Sequence, residues 1–152
     1  MPPDNPEENV QPRKATALYG VAALVSLVGV ADSVYLTIEH ISGRSVKCTI
    51  VSGCSEVLSS PYASVRGVPL ALIGAAAYFS AFSLATLAAF NYKLAGTLLT
   101  VLVGLMFLTT LWLLYVQGFV IGHFCQFCLI SAIVTTILTV LVAIVWRLKA
   151  RP

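Results

Sequence analysis

Ionisable side chains are what this sequence has least of: Asp, Glu, Lys and Arg make up 10% of its 152 residues, against 59% hydrophobic. So few charges cannot clothe a soluble domain of this size, and lipid must be the main solvent. A basic stripe with interleaved aromatics is missing, and a net charge of +3 is too small and scattered to draw nucleic acid. Missing too is a basic start leading into an apolar core and a small-residue cleavage site, so no signal peptide is expected at the beginning of the chain. Residues Met1 to Lys14 have no apolar run and hold four of the seven prolines. They cannot bury enough surface to offset ordering, which predicts a disordered tail over 1–14.

The largest absence is the most informative. From Leu94 to Trp146 there is no Asp, Glu, Lys or Arg. As one helix this stretch would reach about 80 Å, far beyond a hydrocarbon layer of about 30 Å. It must fold back, and Gly118 and Gly122, with Gln117 and His123 beside them, form the cluster able to turn it. Spans three and four are thus expected at 95–117 and 125–146. Ala15 to Ile38, broken only by Asp32, makes a first span, and uncharged Val68 to Tyr92 a second, with Pro69 in its first turn. The expected architecture is an all-α integral membrane protein: a four-transmembrane-helix bundle over 15–147, with a basic tail at 148–152.

Four spans place both termini on one side. Arg13, Lys14, Lys93, Arg147, Lys149 and Arg151 flank that face, while Arg44, Lys47 and Arg66 flank the other. This bias puts the termini in the cytoplasm, and the 39–67 loop and the 118–124 turn outside. All four cysteines then share the outer face of a multi-pass membrane protein.

Cys125-Gln126-Phe127-Cys128 opens span four. Residues three apart on a helix are neighbours, and a thiol at a helix N-terminus is acidified by the unpaired N–H groups. Redox chemistry and a structural disulfide or two inert thiols remain equal readings for this pair alone. Cys48 and Cys54 are six apart and need an irregular loop to meet, which Ser52 and Gly53 supply. A short amphipathic helix from Cys54 or Ser55 to Tyr62, with Val57 and Leu58 apolar, is expected to lie on the membrane. For this pair in isolation a loop staple is the plainer reading. Two pairs at one membrane face favour a relay, because thiol–disulfide exchange passes electrons between pairs through mixed disulfides. Its sink would be a quinone dissolved in the bilayer, held between helices near the CxxC.

The loop Cys48-x5-Cys54, the following Ser59-Ser60-Pro61-Tyr62-Ala63, the stretch Gly67-Val68-Pro69-Leu70-Ala71-Leu72-Ile73-Gly74, and Phe124-Cys125-Gln126-Phe127-Cys128 together resemble the vitamin K epoxide reductase family, in its bacterial branch. The resemblance covers roughly residues 15 to 147 and implies a place in a bacterial inner or plasma membrane. It implies a four-helix bundle around a quinone, ubiquinone or menaquinone, with the loop pair as shuttle and the CxxC as active centre. Position by position, Cys48 would exchange with a DsbA-like thioredoxin-fold partner, Cys54 would pass the disulfide to Cys125, and Cys128 would react with the quinone. Ser60 matches a family serine near the loop. Val57, Leu58, Leu70 and Ala132 are the positions implied for quinone contact. No thioredoxin domain is fused to the bundle, so the thiol partner is expected to be a separate protein. Where animal members have an Asn and a Tyr against the quinone, Leu70 and Ala132 stand here, which disfavours epoxide reduction and coumarin sensitivity more than plain quinone reduction.

Competing readings are a reductase working in the vitamin K epoxide direction, a membrane module closing a tetrahedral zinc site with four cysteines, and a scaffold with two inert staples. The outward face and the x5 spacing disfavour zinc. Asp32 is expected to reach the interface or bond a neighbouring helix, and His123 to be an interfacial polar group. Glu39 and His40 are expected simply to end the first helix. Trp112, Tyr115, Phe119 and Phe124 are expected to serve as belt and packing residues.

Overall fold

The computed structural model describes residues 12–43, 57 and 59–150. Cys48, Cys54 and Leu58, together with most of the expected surface helix and the 1–11 part of the expected tail, lie outside the described residues. Four helices carry the fold: α1 (Arg13–Ile41), α2 (Leu70–Ala89), α3 (Lys93–Tyr115) and α4 (Gln126–Ala150). Each is long and apolar enough to cross a bilayer, α3 together with the π-helical turn Val116–Ile121 that continues it. The protein is a four-transmembrane-helix bundle.

The rods run past the limits set by apolar content alone. α1 begins at Arg13 and α4 ends at Ala150, because Arg and Lys side chains at a helix end can reach water while their stems stay in the apolar layer. α2 is shorter than expected at both ends. Val68 and Pro69 are not its first turn but the second strand, β2, of a small antiparallel hairpin with β1 (Ser64–Val65). The two-residue turn between them, Arg66 (φ 52) and Gly67 (φ 83), has both central residues left-handed, as tight hairpins require. Pro69 then serves as the N-cap of α2, where its missing N–H again costs nothing. At the other end α2 stops at Ala89 rather than Tyr92, because Asn91 turns left-handed (φ 73) and starts the reversal into α3.

The α3–α4 reversal also differs in detail. Gly118 does not break the helix; it sits inside the π-helical turn, where a side chain would come within 3.4 Å of the Phe124 ring. Gly122 makes the turn, with a left-handed φ of 73°. At the end of the expected loop helix, Pro61–Ala63 forms a separate 3-10 turn.

α1 packs mainly on α2 and then on α4, while α3 packs on α2 and α4. Small residues make this possible: Ala15, Ala22, Ala81, Ala85, Ala88 and Ala95 are buried with Leu99, Val103 and Leu138 in one core. Gly29 of α1 lies flat against Tyr78 of α2, where any Cβ would overlap the ring. Outward-facing Leu24, Leu105 and Leu108 remain exposed on the bundle, as lipid-facing side chains do. Hydroxyls along the helices are satisfied internally, for example Thr110 donating to Met106 O at 2.8 Å and Thr136 to Ala132 O at 2.8 Å. One end of the bundle is tied by Lys149, which donates to the Tyr19 hydroxyl at 3.2 Å. The opposite end carries the hairpin, the α3–α4 turn and the CxxC.

Candidate active site

The site forms where the last turn of α3, the first turn of α4 and the segment around Val57 meet. Cys125 immediately precedes α4, and its carbonyl accepts the Leu129 N–H at 3.0 Å, so it acts as the helix's first residue in. Its side chain is fully buried, packed with Val57 and edged by Ile121, Phe127 and Cys128. The backbone N–H of Cys125 is one of the donors a helix start leaves unpaired. Gln117, eight residues earlier and buried itself, fills that need: its Oε1 accepts this N–H at 3.2 Å. The side chain of Gln117 also hydrogen-bonds the Cys128 thiol.

Cys125 is buried and Cys128 half-buried beside it. Cys125 is more acidic than an ordinary cysteine: its thiol is lowered to about 7 by the hydrogen bond from Cys128 and by the backbone N–H groups of Cys128 and Phe127, against the opposing effect of burial. A thiolate at this place is stabilised by the geometry that a CxxC at a helix start provides. α1 reaches the motif through Tyr35, whose ring lies 5.1 Å from that of Phe127.

Below the thiols lies a cavity of about 220 Å³ between the helices. Cys128 forms part of its wall, with Val57, Ser60, Leu70 and Ala132. The structure thus brings together five of the residues singled out in the sequence, leaving Cys48, Cys54 and Leu58 outside the described residues. Ser60 donates to the Val57 carbonyl at 2.7 Å, which fixes the segment that covers Cys125. Most of the cavity wall is apolar, including Leu36, Ile73, Met106 and Leu113. This suits a flat apolar head group with few polar atoms, so a quinone fits the residues present.

Four polar groups in the wall went unrecognised in the sequence. Tyr78 sends its hydroxyl across from α2 to α4, within 2.9 Å of Ser131 O, 2.6 Å of Ser131 Oγ and 2.7 Å of Thr135 Oγ1. With Gln117, these make a polar line beside an otherwise apolar space. The available signal was the spacing of Cys128, Ser131 and Thr135, three and then four residues apart on one helix face. Tyr78 and Gln117 gave only the weaker signal of isolated polar groups in uncharged spans.

Asp32 departs from expectation. It lines the cavity, and among the described residues its Oδ2 is buried with no hydrogen-bond partner, on a neighbouring helix or elsewhere. His40 also lines the cavity rather than merely ending α1. His123 is exposed in the turn. Trp112, Tyr115, Phe119 and Phe124 are exposed, as belt residues are, with Trp112 edge-on to Tyr62 at 6.1 Å. Among the described residues no group of three or more His, Cys, Asp or Glu is placed to hold a metal.

No curated protein matches this chain. Residues 21–143, from within α1 to within α4 and including the loop, the cavity and the CxxC, match the Vitamin K epoxide reductase family, and the chain belongs to that family.

Proposed function

We propose that this membrane oxidoreductase takes electrons from a thioredoxin-fold protein through Cys48 and Cys54, passes them to Cys125 and Cys128, and delivers them to a membrane quinone, so supporting disulfide formation in its partner. The observation that carries this reading is the position of Cys128 in the wall of an apolar cavity, with Cys125 held beside it at the start of α4.

The roles follow from the chemistry of exchange. The Cys54 thiolate attacks an oxidised Cys125–Cys128 disulfide at Cys125 and releases Cys128 as thiolate; Cys48 then attacks Cys54, closing the loop disulfide and releasing Cys125, whose greater acidity suits it as the leaving group. Cys128, facing the cavity, is the thiol that meets the quinone. A quinone supplies a two-electron sink there. Val57, Leu70 and Ala132 would hold its apolar face, and Ser60 would keep the covering segment in place. The wall supplies hydroxyl, amide and carboxyl groups but no Asn or Tyr at positions 70 and 132, which favours quinone over epoxide as the oxidant. The positive residues flanking the tied end of the bundle support an outer location for the thiols and a cytoplasmic one for the termini. Ubiquinone and menaquinone both satisfy this chemistry.

The test is the redox state of a reduced thioredoxin-fold protein added to membranes containing the wild-type chain. It should become oxidised only when quinone is present, and Cys48→Ser should abolish the transfer. Oxidation that proceeds equally with Cys48→Ser would overturn the proposed entry point.

A further inference from the structure

Oxidising a dithiol to a disulfide releases two electrons and two protons, and reducing a quinone to a quinol takes up both. The electrons pass at Cys128, but the protons must reach oxygen atoms held against a mostly apolar cavity wall. A proton carrier in the wall would supply that step, and the cavity contains a carboxyl group with no structural task.

Asp32 is that group. It lies on α1 one turn from Tyr35, whose ring packs on Phe127 of the CxxC. Ser33, Leu36 and His40 continue the same cavity-facing side of α1 towards the mouth. Counting along the helices, Asp32 sits about 13 Å from the Ile41 end of α1 and Cys128 about 3 Å from the Gln126 end of α4. Among the described residues its Oδ2 is buried and makes no hydrogen bond, although acidic groups inside a membrane are costly and normally paired. The Tyr78 hydroxyl across the cavity is engaged by Ser131 and Thr135. No Lys or Arg among the described residues lines the cavity. An isolated carboxyl in an apolar wall is stable when neutral and surrenders its proton only where a new acceptor arrives.

We infer that Asp32 is the catalytic residue that protonates the quinone, giving its proton to a carbonyl oxygen within the cavity and being reprotonated by a proton released from the Cys125/Cys128 dithiol. The inference rests on the quinone-coupled reading above and adds a residue to it. The balance closes without another reagent: dithiol plus quinone gives disulfide plus quinol, two electrons and two protons move, and Asp32 ends as it began. Tyr78, with its hydroxyl already bonded to Ser131 and Thr135, is a positioning residue that keeps α2 and α4 at a fixed separation on this side of the cavity.

The experiment uses the full chain in lipid nanodiscs, reduced at Cys125 and Cys128, with a soluble quinone analogue. Rates are followed across pH for the wild type, Asp32→Asn and Asp32→Glu. Among the described residues the other titratable groups facing Asp32 are Tyr78 from α2, Cys125 and Cys128 at the head of α4, and His40 on α1 itself, all of which the variants leave in place. Asp32→Asn should slow quinone reduction on the order of 100-fold, the usual worth of a general acid. It should also flatten the pH profile, and Asp32→Glu should recover most of both. Oxidation of the same thiols by diamide, which needs no acid in the cavity, should be unchanged in Asp32→Asn. A second readout needs no turnover: the carboxyl C=O infrared band should shift when a redox-inert quinone analogue binds the wild type, and that change should vanish in Asp32→Asn. A wild-type rate and pH profile in Asp32→Asn, or an infrared band indifferent to the analogue, would overturn the assignment. A wild-type protein whose intact dithiol reduces no quinone would instead remove the underlying reading and this inference with it.

Discussion

Gln117 and Cys125 are joined by a hydrogen bond of 3.2 Å, from the cysteine N–H to the Gln117 Oε1. The bond closes the eight-residue reversal between α3 and α4 and fixes the start of the CxxC helix against the π-helical turn. A single buried amide therefore sets both the path of the chain and the environment of two thiols. Gln117→Leu keeps the volume but leaves the Cys125 N–H without its acceptor in an apolar setting. The expected cost is about 1–3 kcal/mol of stability. Thermal unfolding in detergent, followed by circular dichroism, measures it, and an unchanged midpoint would mean that this bond contributes nothing.

The acidity of Cys125 gives a pH dependence. Its thiol is lowered to about 7, so the reactive thiolate accumulates as pH rises through 7 and is lost as pH falls below it. The first cause is the hydrogen bond from Cys128. Cys128→Ala should therefore shift the alkylation profile of Cys125 to higher pH, towards that of an ordinary cysteine. Iodoacetamide rates between pH 5 and 10 on the reduced protein read this directly, and a profile identical to wild type would contradict the stated cause.

Packing between α1 and α2 depends on Gly29. Any side chain there meets the ring of Tyr78, which is held in turn by Ser131 and Thr135. Gly29→Ala should destabilise the bundle by about 1–3 kcal/mol, the usual cost of overpacking. Tyr78→Phe removes the hydroxyl and its bonds and should cost about 1 kcal/mol. In Gly29→Ala combined with Tyr78→Ala, where the ring is gone, most of the glycine penalty should disappear. Additive losses in the double variant would show that the two residues do not meet.

Much of the fold was legible because a bilayer admits few solutions. An uncharged stretch too long for one crossing has to reverse, and a Gly-rich cluster marked where. What the sequence could not show was how the reversal closes. Gly118 and Gly122 look alike on paper, yet only Gly122 adopts a left-handed backbone, while Gly118 yields space to Phe124 inside a widened helical turn. The boundary at Val68 was missed for a related reason. An apolar Val-Pro pair reads the same in a strand as in a helix start, and the pairing of Val65 with Val68 is set by the Arg66-Gly67 turn.

At the site, the pairing of Cys125 with Cys128 was legible from their spacing, and Val57, Ser60, Leu70 and Ala132 line one cavity with Cys128. Tyr78, Gln117 and Asp32 were not. Their importance lies in partners on other helices, or in the want of a partner, and neither is visible along a single helix. Asp32 shows this most sharply: an acid near a helix end reads as interfacial until the neighbouring helices close over it.

Sidedness is a prediction of its own. A membrane-impermeant maleimide added outside sealed, right-side-out vesicles should label single-cysteine versions of the chain at 48 and at 54. A cysteine introduced at Lys149, at the opposite end of the bundle, should react only after the membrane is opened. Labelling of 48 and 149 from the same side would separate the two cysteine pairs by a bilayer and forbid the relay.

The most direct test of the account follows quinone absorbance when the purified protein is mixed with a reduced thioredoxin-fold protein and a soluble quinone analogue, in the wild type and in Cys128→Ala. The account predicts that the wild type forms quinol and the variant does not, since the thiol in the cavity wall is the electron exit. Equal rates of quinol formation in the two proteins would contradict it.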